Sequence, residues 1–253
     1  MKMNGNTILI TGGGTGIGRG LAEAFHASGN QVIIAGRRQE PLDETTAANP
    51  GMKSYTLDAN SPEAIQAFAE TVISEVPSLN VLINNAGIMR PEDLTADTLD
   101  LSTAELTITT NLLGPIRLTA ALLPHLKRQA RSTVMMVSSG LAFTPLPLTP
   151  TYCATKAAIH SYAISLREQL KETSVEVLEL APPYVQTELM SEQQASDPRA
   201  MPLDAFIQET MQILEAGPLR GEILVENALP LRNAETNGNF DEVFAQLCAM
   251  SHG

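Results

Sequence analysis

The residues with the clearest chemical potential are a tyrosine and a lysine four positions apart, Tyr152 and Lys156. Residues at this spacing lie on one face of a helix, so the phenol and the ammonium group can be neighbours. A free tyrosine titrates near about 10, and a nearby ammonium is expected to lower that pKa by favouring the phenolate. Tyr152 could then exchange a proton with a substrate oxygen. By spacing alone, however, such a pair is most often a surface contact.

Other polar residues are predicted to lie close to this pair. Ser138 and Ser139 follow the apolar run 134–137, and the run 81–83 ends at Asn84. The carboxyl ends of parallel strands meet at one edge of a sheet, where folds of this type bind their ligands. A serine hydroxyl at that edge could hold a substrate oxygen beside the tyrosine, which makes a chemical role for the pair much more plausible than its spacing alone does.

A glycine-rich segment follows the first apolar run, 7–10, and opens a helical pattern. Glycines let the backbone approach a pyrophosphate closely, and the helix that follows directs its free N–H groups at the phosphates. This placement after the first strand is the context that a nucleotide-binding loop requires. The loop residues predicted to bind a nucleotide are Thr11, Gly12, Gly14, Thr15, Gly16, Ile17 and Gly18.

The end of the second apolar run, 32–35, indicates which dinucleotide is bound. Sheets that bind NAD often place an acidic residue there to bind the ribose hydroxyls. This chain instead has Arg37 and Arg38. Guanidinium groups attract a 2′-phosphate and can bind it through paired N–H groups. We therefore predict NADP(H) in preference to NAD(H); the alternative is that both arginines are solvated loop residues.

These residues need a fold that brings them together. Short apolar runs alternate with helical patterns, and the runs are continuous, as in strands covered on both faces. The pattern predicts one α/β domain over residues 1–253, a Rossmann fold with a doubly wound parallel sheet of about seven strands and helices on both faces. The predicted strands include 7–10, 32–35, 55–57, 81–83, 134–137, 175–178 and 223–225, and the long helices cover about 106–127 and 152–171. A substrate loop is predicted over about 187–215.

Composition narrows the function classes. The chain has 253 residues and a formal net charge of −12, which argues against general binding of nucleic acid or of an anionic membrane. Its two cysteines form no disulfide framework or metal-ligand spacing, so no metal is predicted and a reducing cytoplasm is expected. The amino terminus lacks the features of a signal peptide, and no uninterrupted apolar run approaches the length of a membrane span.

Together these motifs resemble those of the short-chain dehydrogenase/reductase family, over nearly the whole chain. The family's glycine motif, TGxxxGxG, is matched by Thr11, Gly12, Gly16 and Gly18, its NNAG motif by Asn84, Asn85, Ala86 and Gly87, and its YxxxK pair by Tyr152 and Lys156. The resemblance implies an oxidoreductase that reduces a ketone or aldehyde to an alcohol by reversible hydride transfer, with a small-molecule carbonyl or alcohol as substrate.

The resemblance also implies roles for single residues. Spacing within the family selects Ser139 over Ser138 as the catalytic serine, and Asn111 resembles the asparagine that kinks its helix and supports a proton relay. Cofactor contacts are implied for Asp58, Ala59, Asn85, Ala86, Gly87, Tyr152, Lys156, Pro182, Val185 and Thr187. Pro183 replaces the family's usual glycine, which leaves the path of that loop open. Relatives pair their long helices, so a homodimer or homotetramer is expected.

The substrate-binding residues are the least specified. The predicted lining is Leu141, Phe143, Leu146, Leu148, Tyr184, Leu189 and Met190, which favours an uncharged and rather hydrophobic carbonyl compound. The segment after Glu226 does not resemble the family's usual ending. Three rival functions stay open: an alcohol dehydrogenase working in the oxidative direction, a nucleotide-sensing regulator without turnover, and a sugar-nucleotide epimerase or dehydratase.

Overall fold

A parallel sheet forms the centre of the molecule. The computed structural model describes residues 1–250, so residues 251–253 of the predicted domain lie outside the described part. Seven strands within that part follow the order β3-β2-β1-β4-β5-β6-β7, and every pairing is parallel. The strands are β1 (Thr7–Thr11), β2 (Gln31–Gly36), β3 (Lys53–Thr56), β4 (Val81–Asn84), β5 (Ser132–Val137), β6 (Val175–Leu180) and β7 (Glu222–Ile223).

Helices cover both faces of the sheet, as the continuous apolar strands predict. They are α1 (Gly16–Ala27), α2 (Gln39–Ala48), α3 (Pro62–Glu75), α4 (Ser102–Ile108), α5 (Gly114–Leu126), α6 (Pro150–Leu170), α7 (Leu203–Ala216), α8 (Leu229–Arg232), α9 (Ala234–Asn237) and α10 (Phe240–Met250). The start of α3 shows how local sequence sets a boundary: the Ser61 hydroxyl accepts a hydrogen bond from Ala64 N at 3.1 Å, and Pro62 occupies the first turn.

Alternate residues of β1, β2, β4, β5 and β6 build two separate cores. Ile8 and Ile10 of β1 pack in the core that includes Phe25 of α1 and Phe206 of α7. Leu9, between them in sequence, packs in the other core with residues of α3, α5 and α6. Successive strand residues point to opposite faces, so one strand contributes to both cores and buries all of its side chains.

The sheet has its topological switch point at β1. The chain runs outward through β2 and β3, then returns to the other side of β1 to form β4. Crossovers on the two sides lie on opposite faces, so a crevice opens at the carboxyl ends of β1 and β4. The residues of the glycine-rich segment and of the NNAG motif therefore meet at this crevice.

The chain after β7 returns to the carboxyl edge of the sheet. Thr144, in the loop before α6, donates from its Oγ1 to the carbonyl oxygen of Leu231 at 3.1 Å. Arg232 forms two hydrogen bonds with the carboxylate of Glu222, at 2.9 and 3.1 Å. The last strand is shorter than predicted, because a short 3-10 turn, Glu226–Ala228, begins directly after the buried Val225.

Two predicted segments differ from the structure. The long helix predicted over 106–127 is divided by a π-helical turn, Thr109–Leu113, between α4 and α5. The predicted substrate loop over 187–215 is a loop only in its first half, since α7 begins at Leu203 and packs against α1.

One helical run has the length and apolar composition of a membrane-crossing helix. The stretch Ser102–Leu126 reaches a mean hydropathy of 1.3 in its most apolar window. The sequence-based expectation rested on uninterrupted apolar runs and missed this stretch, because polar residues interrupt it, including Glu105 and Arg117. In the fold this run packs against α3 and α6, alongside the sheet.

Candidate active site

The glycine-rich loop, which we call the phosphate loop (residues 12–15), is held tightly against its surroundings. Gly12 has a positive φ of 67° and donates from its N to the carbonyl oxygen of Ala35 at 2.7 Å. The Thr11 hydroxyl accepts hydrogen bonds from the backbone N of both Asn85 and Ala86, each at 3.0 Å. These bonds fix the end of β1 to the end of β4.

A cavity of about 460 Å³ opens beside this loop. Nine residues predicted to bind a cofactor line it: Thr11, Gly12, Gly14, Thr15, Arg37, Arg38, Ala59, Ala86 and Gly87. Gly16, Ile17, Gly18, Asp58 and Asn85 adjoin these residues in the chain but do not line the cavity. The cavity suits a dinucleotide, because the glycine backbone of the phosphate loop and two arginines line it. A Cβ at Gly12 would lie 3.0 Å from the Ala86 backbone, so only a glycine fits where the end of β1 passes the end of β4.

Several lining residues were missed by the sequence analysis. Pro41 and Leu42 of α2, Asn60 and Thr110 also line the cavity. Pro41 reaches it because α2 lies directly over the phosphate loop, and a Cβ at Gly14 would lie 3.1 Å from Pro41. No sequence motif signals such a contact between two elements, whereas Asn60, two residues after Asp58, is adjacent to a predicted contact.

The positive charge of this cavity comes from the end of β2. Arg37 and Arg38 line the cavity and are exposed. Within residues 1–250, neither guanidinium forms an ion pair with a carboxylate. The two groups are therefore available to a bound anion.

Ser139, Tyr152, Lys156 and Asn111 are brought together at the carboxyl edge of the sheet; we call this set the tyrosine site. Only 5% of the Tyr152 surface is exposed, and its side chain forms a hydrogen bond with that of Ser139. The Lys156 Nζ lies 5.5 Å from the centre of the Tyr152 ring. The helical spacing thus does place the ammonium beside the phenol.

The pKa of Tyr152 differs from the sequence-based expectation. Burial raises the pKa of Tyr152 to about 12, and the hydrogen bond with Ser139 opposes this only in part. The predicted lowering was wrong for the cofactor-free chain because the phenolate would lose its hydration in this buried position. Tyr152 is therefore a protonated phenol across the physiological pH range.

Lys156 is buried together with the tyrosine. Its Nζ donates to the carbonyl oxygen of Val137, the last residue of β5, at 2.8 Å. Burial lowers the pKa of Lys156 to about 8, while the negative charge of Glu179 acts in the opposite direction. The lysine therefore exchanges its proton close to neutral pH, which a solvated lysine does not do.

Asn111 lies within the π-helical turn and fixes the chain after β4. Its Oδ1 accepts from the N of Ile88 and its Nδ2 donates to the carbonyl oxygen of Ile88, both at 2.8 Å. A Cβ at Gly87 would lie 3.3 Å from Asn111 Oδ1 and 3.7 Å from Lys156 Nζ. Gly87, which also lines the cavity, is therefore the point where the cavity meets the tyrosine site.

The loop after β6 passes the same edge. The carbonyl oxygen of Pro182 accepts from Gly140 N at 2.8 Å, so this loop is tied to the segment that follows Ser139. Val185 is buried and forms a parallel bridge with Met201. A Cβ at Gly16 would lie 3.4 Å from Thr187 Cγ2, which places Thr187 beside the start of α1. Although Pro183 replaces the family's usual glycine in this loop, Thr187 therefore lies next to Gly16, the residue that follows the phosphate loop.

Comparison with known proteins agrees with this geometry. The sequence model of the short chain dehydrogenase family matches residues 6–198. The chain belongs to this family. It is accordingly an oxidoreductase, with the seven-stranded sheet and the crevice at the switch point described above.

The matches to individual relatives cover different shares of the two chains. This short chain dehydrogenase is 40% identical over 250 residues to the uncharacterized oxidoreductase DltE of Bacillus subtilis (strain 168), covering 98% of both chains. It is 33% identical over 192 residues to dehydrogenase/reductase SDR family member 7B of Bos taurus, covering 72% of this chain and 58% of that protein. The crystal structure of a short chain dehydrogenase from Burkholderia cenocepacia J2315 in complex with NADP superposes with a TM-score of 0.82 at 25% identity, covering 98% of this chain and 99% of that one.

A second cavity, of about 650 Å³, lies at the amino end of α6 in this dehydrogenase. Most of its lining is apolar, and two carboxylates, Glu92 and Asp93, lie among the lining residues. The apolar lining consists of Leu94, Leu141, Ala142, Pro145, Leu146, Pro147, Pro150, Cys153, Ala154, Ala157 and Phe244. Phe244, from α10, was missed because a contact made by the last helix has no signal in the local sequence.

Of the seven residues predicted to line the substrate site, Leu141 and Leu146 line this cavity, and the other five do not: Phe143, Leu148, Tyr184, Leu189 and Met190. The Phe143 ring packs instead 4.7 Å from the His160 ring and 4.6 Å from the Arg232 guanidinium. Tyr184 and Leu189 lie outside the cavity lining, on the loop after β6 with 40% and 41% of their surfaces exposed, and the Tyr184 hydroxyl donates to Asp197. A π system attracts a guanidinium, which explains why Phe143 turns toward Arg232.

Proposed function

We propose that this dehydrogenase reduces a ketone or aldehyde to an alcohol with NADPH, in a reversible reaction for which Tyr152 is the general acid and base. The observation that supports this most directly is the arrangement of the tyrosine site. A buried phenol, a serine hydroxyl and a lysine ammonium converge where Gly87 joins the tyrosine site to the cavity. A nucleotide sensor would not need a buried proton donor at this point.

Each side chain has a role that follows from its surroundings. Bound NADPH supplies the hydride. The Ser139 hydroxyl holds the substrate oxygen, and the Tyr152 hydroxyl gives that oxygen its proton. The raised pKa of Tyr152 keeps the phenol protonated and ready to donate. The Lys156 ammonium stabilises the phenolate that remains, and Asn111 keeps the chain beside Gly87 in place.

The preference for NADP(H) over NAD(H) is part of this proposal. It is supported by the exposed, unpaired guanidinium groups of Arg37 and Arg38 in the cavity lining. The bound NADP of the Burkholderia relative is consistent with it. The apolar second cavity favours an uncharged, hydrophobic carbonyl substrate, since its two carboxylates would repel an anion. We place the enzyme in the cytoplasm, where NADP is held largely reduced.

The activity is tested by following NADPH absorbance with a panel of hydrophobic ketones and aldehydes. We expect turnover by the wild type and a loss of kcat of about 10²- to 10⁴-fold in Tyr152→Phe, with NADPH still bound. Tyr162→Phe is the matched control, since Tyr162 lies on the same helix, packs against a core cluster and takes no part in the tyrosine site. Tight NADPH binding without turnover of any compound would instead support a sensor.

The cofactor preference is tested by comparing KM and kcat for NADPH and NADH. We expect Arg37→Asp to raise the KM for NADPH by about tenfold or more and to leave NADH nearly unaffected, because the new carboxylate repels the 2′-phosphate. Arg131→Asp is the control, since Arg131 is an exposed arginine directly before β5, at the opposite edge of the sheet. A wild type that prefers NADH would contradict this part of the proposal.

A further inference from the structure

A buried carboxylate lies next to the tyrosine site but belongs to neither cavity. Glu179 is on β6 with 1% of its surface exposed. Its Oε1 accepts a hydrogen bond from Ser138 Oγ at 2.5 Å, and its Oε2 lies 2.8 Å from His160 Nδ1. A buried carboxylate needs such partners, because an unpaired one would lose its hydration without compensation.

Both partners of Glu179 adjoin residues of the tyrosine site. Ser138 precedes Ser139 in the chain, and its backbone N donates to the carbonyl oxygen of Leu180 at 2.8 Å. His160 follows Lys156 by one helical turn on α6. Glu179 therefore joins the end of β5 to the face of α6 that carries Lys156.

The position of Glu179 on its strand would suit an apolar residue. Val175, Val177 and Glu179 alternate along one face of β6. The two valines pack in a core with Ile159 and Ala163 of α6. If packing alone decided the residue at position 179, we would expect another aliphatic side chain there. The carboxylate of Glu179 is instead explained by its hydrogen-bond partners.

The surroundings of the carboxylate are unusually rich in charge. His160 packs against Phe143, and Phe143 against Arg232, which is paired with Glu222. The titratable and charged groups that interact electrostatically with this cluster are Lys156, His160, Arg167, Glu222 and Arg232. Among these, Lys156 is the one that belongs to the tyrosine site.

We propose that Glu179 is a positioning residue of this reductase: it holds Ser139 and Lys156 in place through Ser138 and His160, and supplies the buried negative charge that faces the Lys156 ammonium. The inference rests on the proposed function, because it gives Glu179 a role in the reduction of a carbonyl. It also has a physical consequence that can be measured without any substrate.

That consequence concerns the proton of Lys156. The charge of Glu179 raises the pKa of Lys156 against the larger, opposing effect of burial. Glu179→Gln removes the charge but keeps an oxygen that can accept from Ser138. The pKa of Lys156 should therefore fall further in Glu179→Gln, and the ammonium should be lost at a lower pH.

The first experiment compares the pH dependence of kcat in the wild type and in Glu179→Gln. We expect the alkaline fall of kcat to move to lower pH by about half a unit or more, so that kcat on that limb drops about threefold, with the KM for NADPH unchanged. Glu176→Gln is the matched control, because Glu176 is an exposed glutamate of the same strand. An unmoved alkaline limb in Glu179→Gln would overturn the proposal.

The second experiment does not depend on activity. The chain has five lysines, so labelling their ε-carbons with ¹³C gives a simple NMR spectrum, in which Lys156→Arg identifies the signal of Lys156. We expect Lys156 to titrate at a lower pH in Glu179→Gln than in the wild type, and identical titrations would refute the inference. A wild type that consumes no NADPH refutes the proposed function instead, and the NMR result still decides the role of the charge.

Ser138→Ala separates the hydrogen bond from the charge and also serves if Glu179→Gln does not fold. This variant keeps the carboxylate but loses its link to the segment that carries Ser139. We expect kcat to fall about threefold or more at every pH with the alkaline limb in its original place. An unchanged kcat in a folded Ser138→Ala would overturn the positioning role.

Discussion

At Gly18 the first turn of α1 leaves no space for a side chain. A Cβ there would lie 2.1 Å from the carbonyl oxygen of Gly12, far inside a normal contact distance. We expect Gly18→Ala to displace the phosphate loop and weaken NADPH binding by about tenfold or more, measured by calorimetry. Gly20→Ala is the control, because its Cβ would meet the side chains of Ile207 and Leu203 and no backbone atom of the phosphate loop. Equal affinities for NADPH in the two folded variants would contradict the prediction.

The lowered pKa of Lys156 should also make the free energy of unfolding depend on pH. Its pKa is lowered from 10.5 to about 8, so folding is penalised while the lysine is charged, and the penalty disappears as pH rises from about 8 toward 10.5. We expect the free energy of unfolding of the wild type to rise relative to Lys156→Met over this window, by at most about 3 kcal/mol. The lost hydrogen bond to Val137 adds an offset that does not vary with pH.

The measurement is urea unfolding of both proteins at about pH 7, 8.5 and 9.5. Tyr152 does not disturb the comparison, since its raised pKa keeps it protonated in the folded state over this range in the wild type. A difference between the two proteins that stays constant with pH would show that Lys156 is not held in a desolvated position.

Three residues illustrate which contacts and pKa shifts could be predicted from the sequence and which could not. The helical spacing placed Lys156 beside Tyr152, because that relation is local. The direction of the Tyr152 pKa was wrong, because burial depends on every element around the phenol. Phe143 was assigned to the substrate because its contact with Arg232, 89 positions further along the chain, has no local signal.

Among the elements, the segment after β7 is the one whose place the sequence did not predict. Arg232, at the end of α8, forms an ion pair with Glu222 at 2.9 Å and lies over the Phe143 ring. We expect Arg232→Met to destabilise the fold by about 1–3 kcal/mol in urea unfolding, because it leaves the half-buried Glu222 carboxylate unpaired. Arg131→Met is the control, and equal losses in the two variants would contradict the prediction. Adding Glu222→Gln to Arg232→Met should recover part of the loss.

Most elements were predictable because their patterns are strong. Five of the six strands β1 to β6 follow apolar runs that are largely buried, β3 being the exception, and the predicted positions of all six agree with the structure to within three residues. The resemblance implied a kink at Asn111 but not its π-helical form, and the last strand, predicted over 223–225, proved shorter. Both depend on contacts outside the element: Asn111 of the π turn bonds to Ile88, and β7 pairs only with the end of β6.

At the scale of the whole molecule, α4 and α6 present an apolar surface. Ile108 and Ile164 are 40% and 47% exposed, and the two helices pack side by side. We expect two copies of the chain to associate through this surface, and Ile164→Glu to give monomers in light scattering after size exclusion. Ser165→Glu is the control, because its side chain points about 100° away around the helix. With a net charge of −12, association should strengthen as salt is added.

A monomeric wild type at micromolar concentration, or equal effects of the two glutamate substitutions, would contradict this assembly. The sequence alone suggested an oligomer only through its resemblance to a family. The fold adds the particular surface, because exposure of Ile108 and Ile164 depends on how the helices lie against the sheet.

The reach of α10 back to the second cavity has a consequence for synthesis on the ribosome. Phe244 lines that cavity and follows all seven strands of the described sheet in the chain, so this part of the wall is synthesised after them. The strands that carry the phosphate loop and the tyrosine site are complete well before then. A nascent chain therefore acquires the residues that line the first cavity before those that complete the wall of the second.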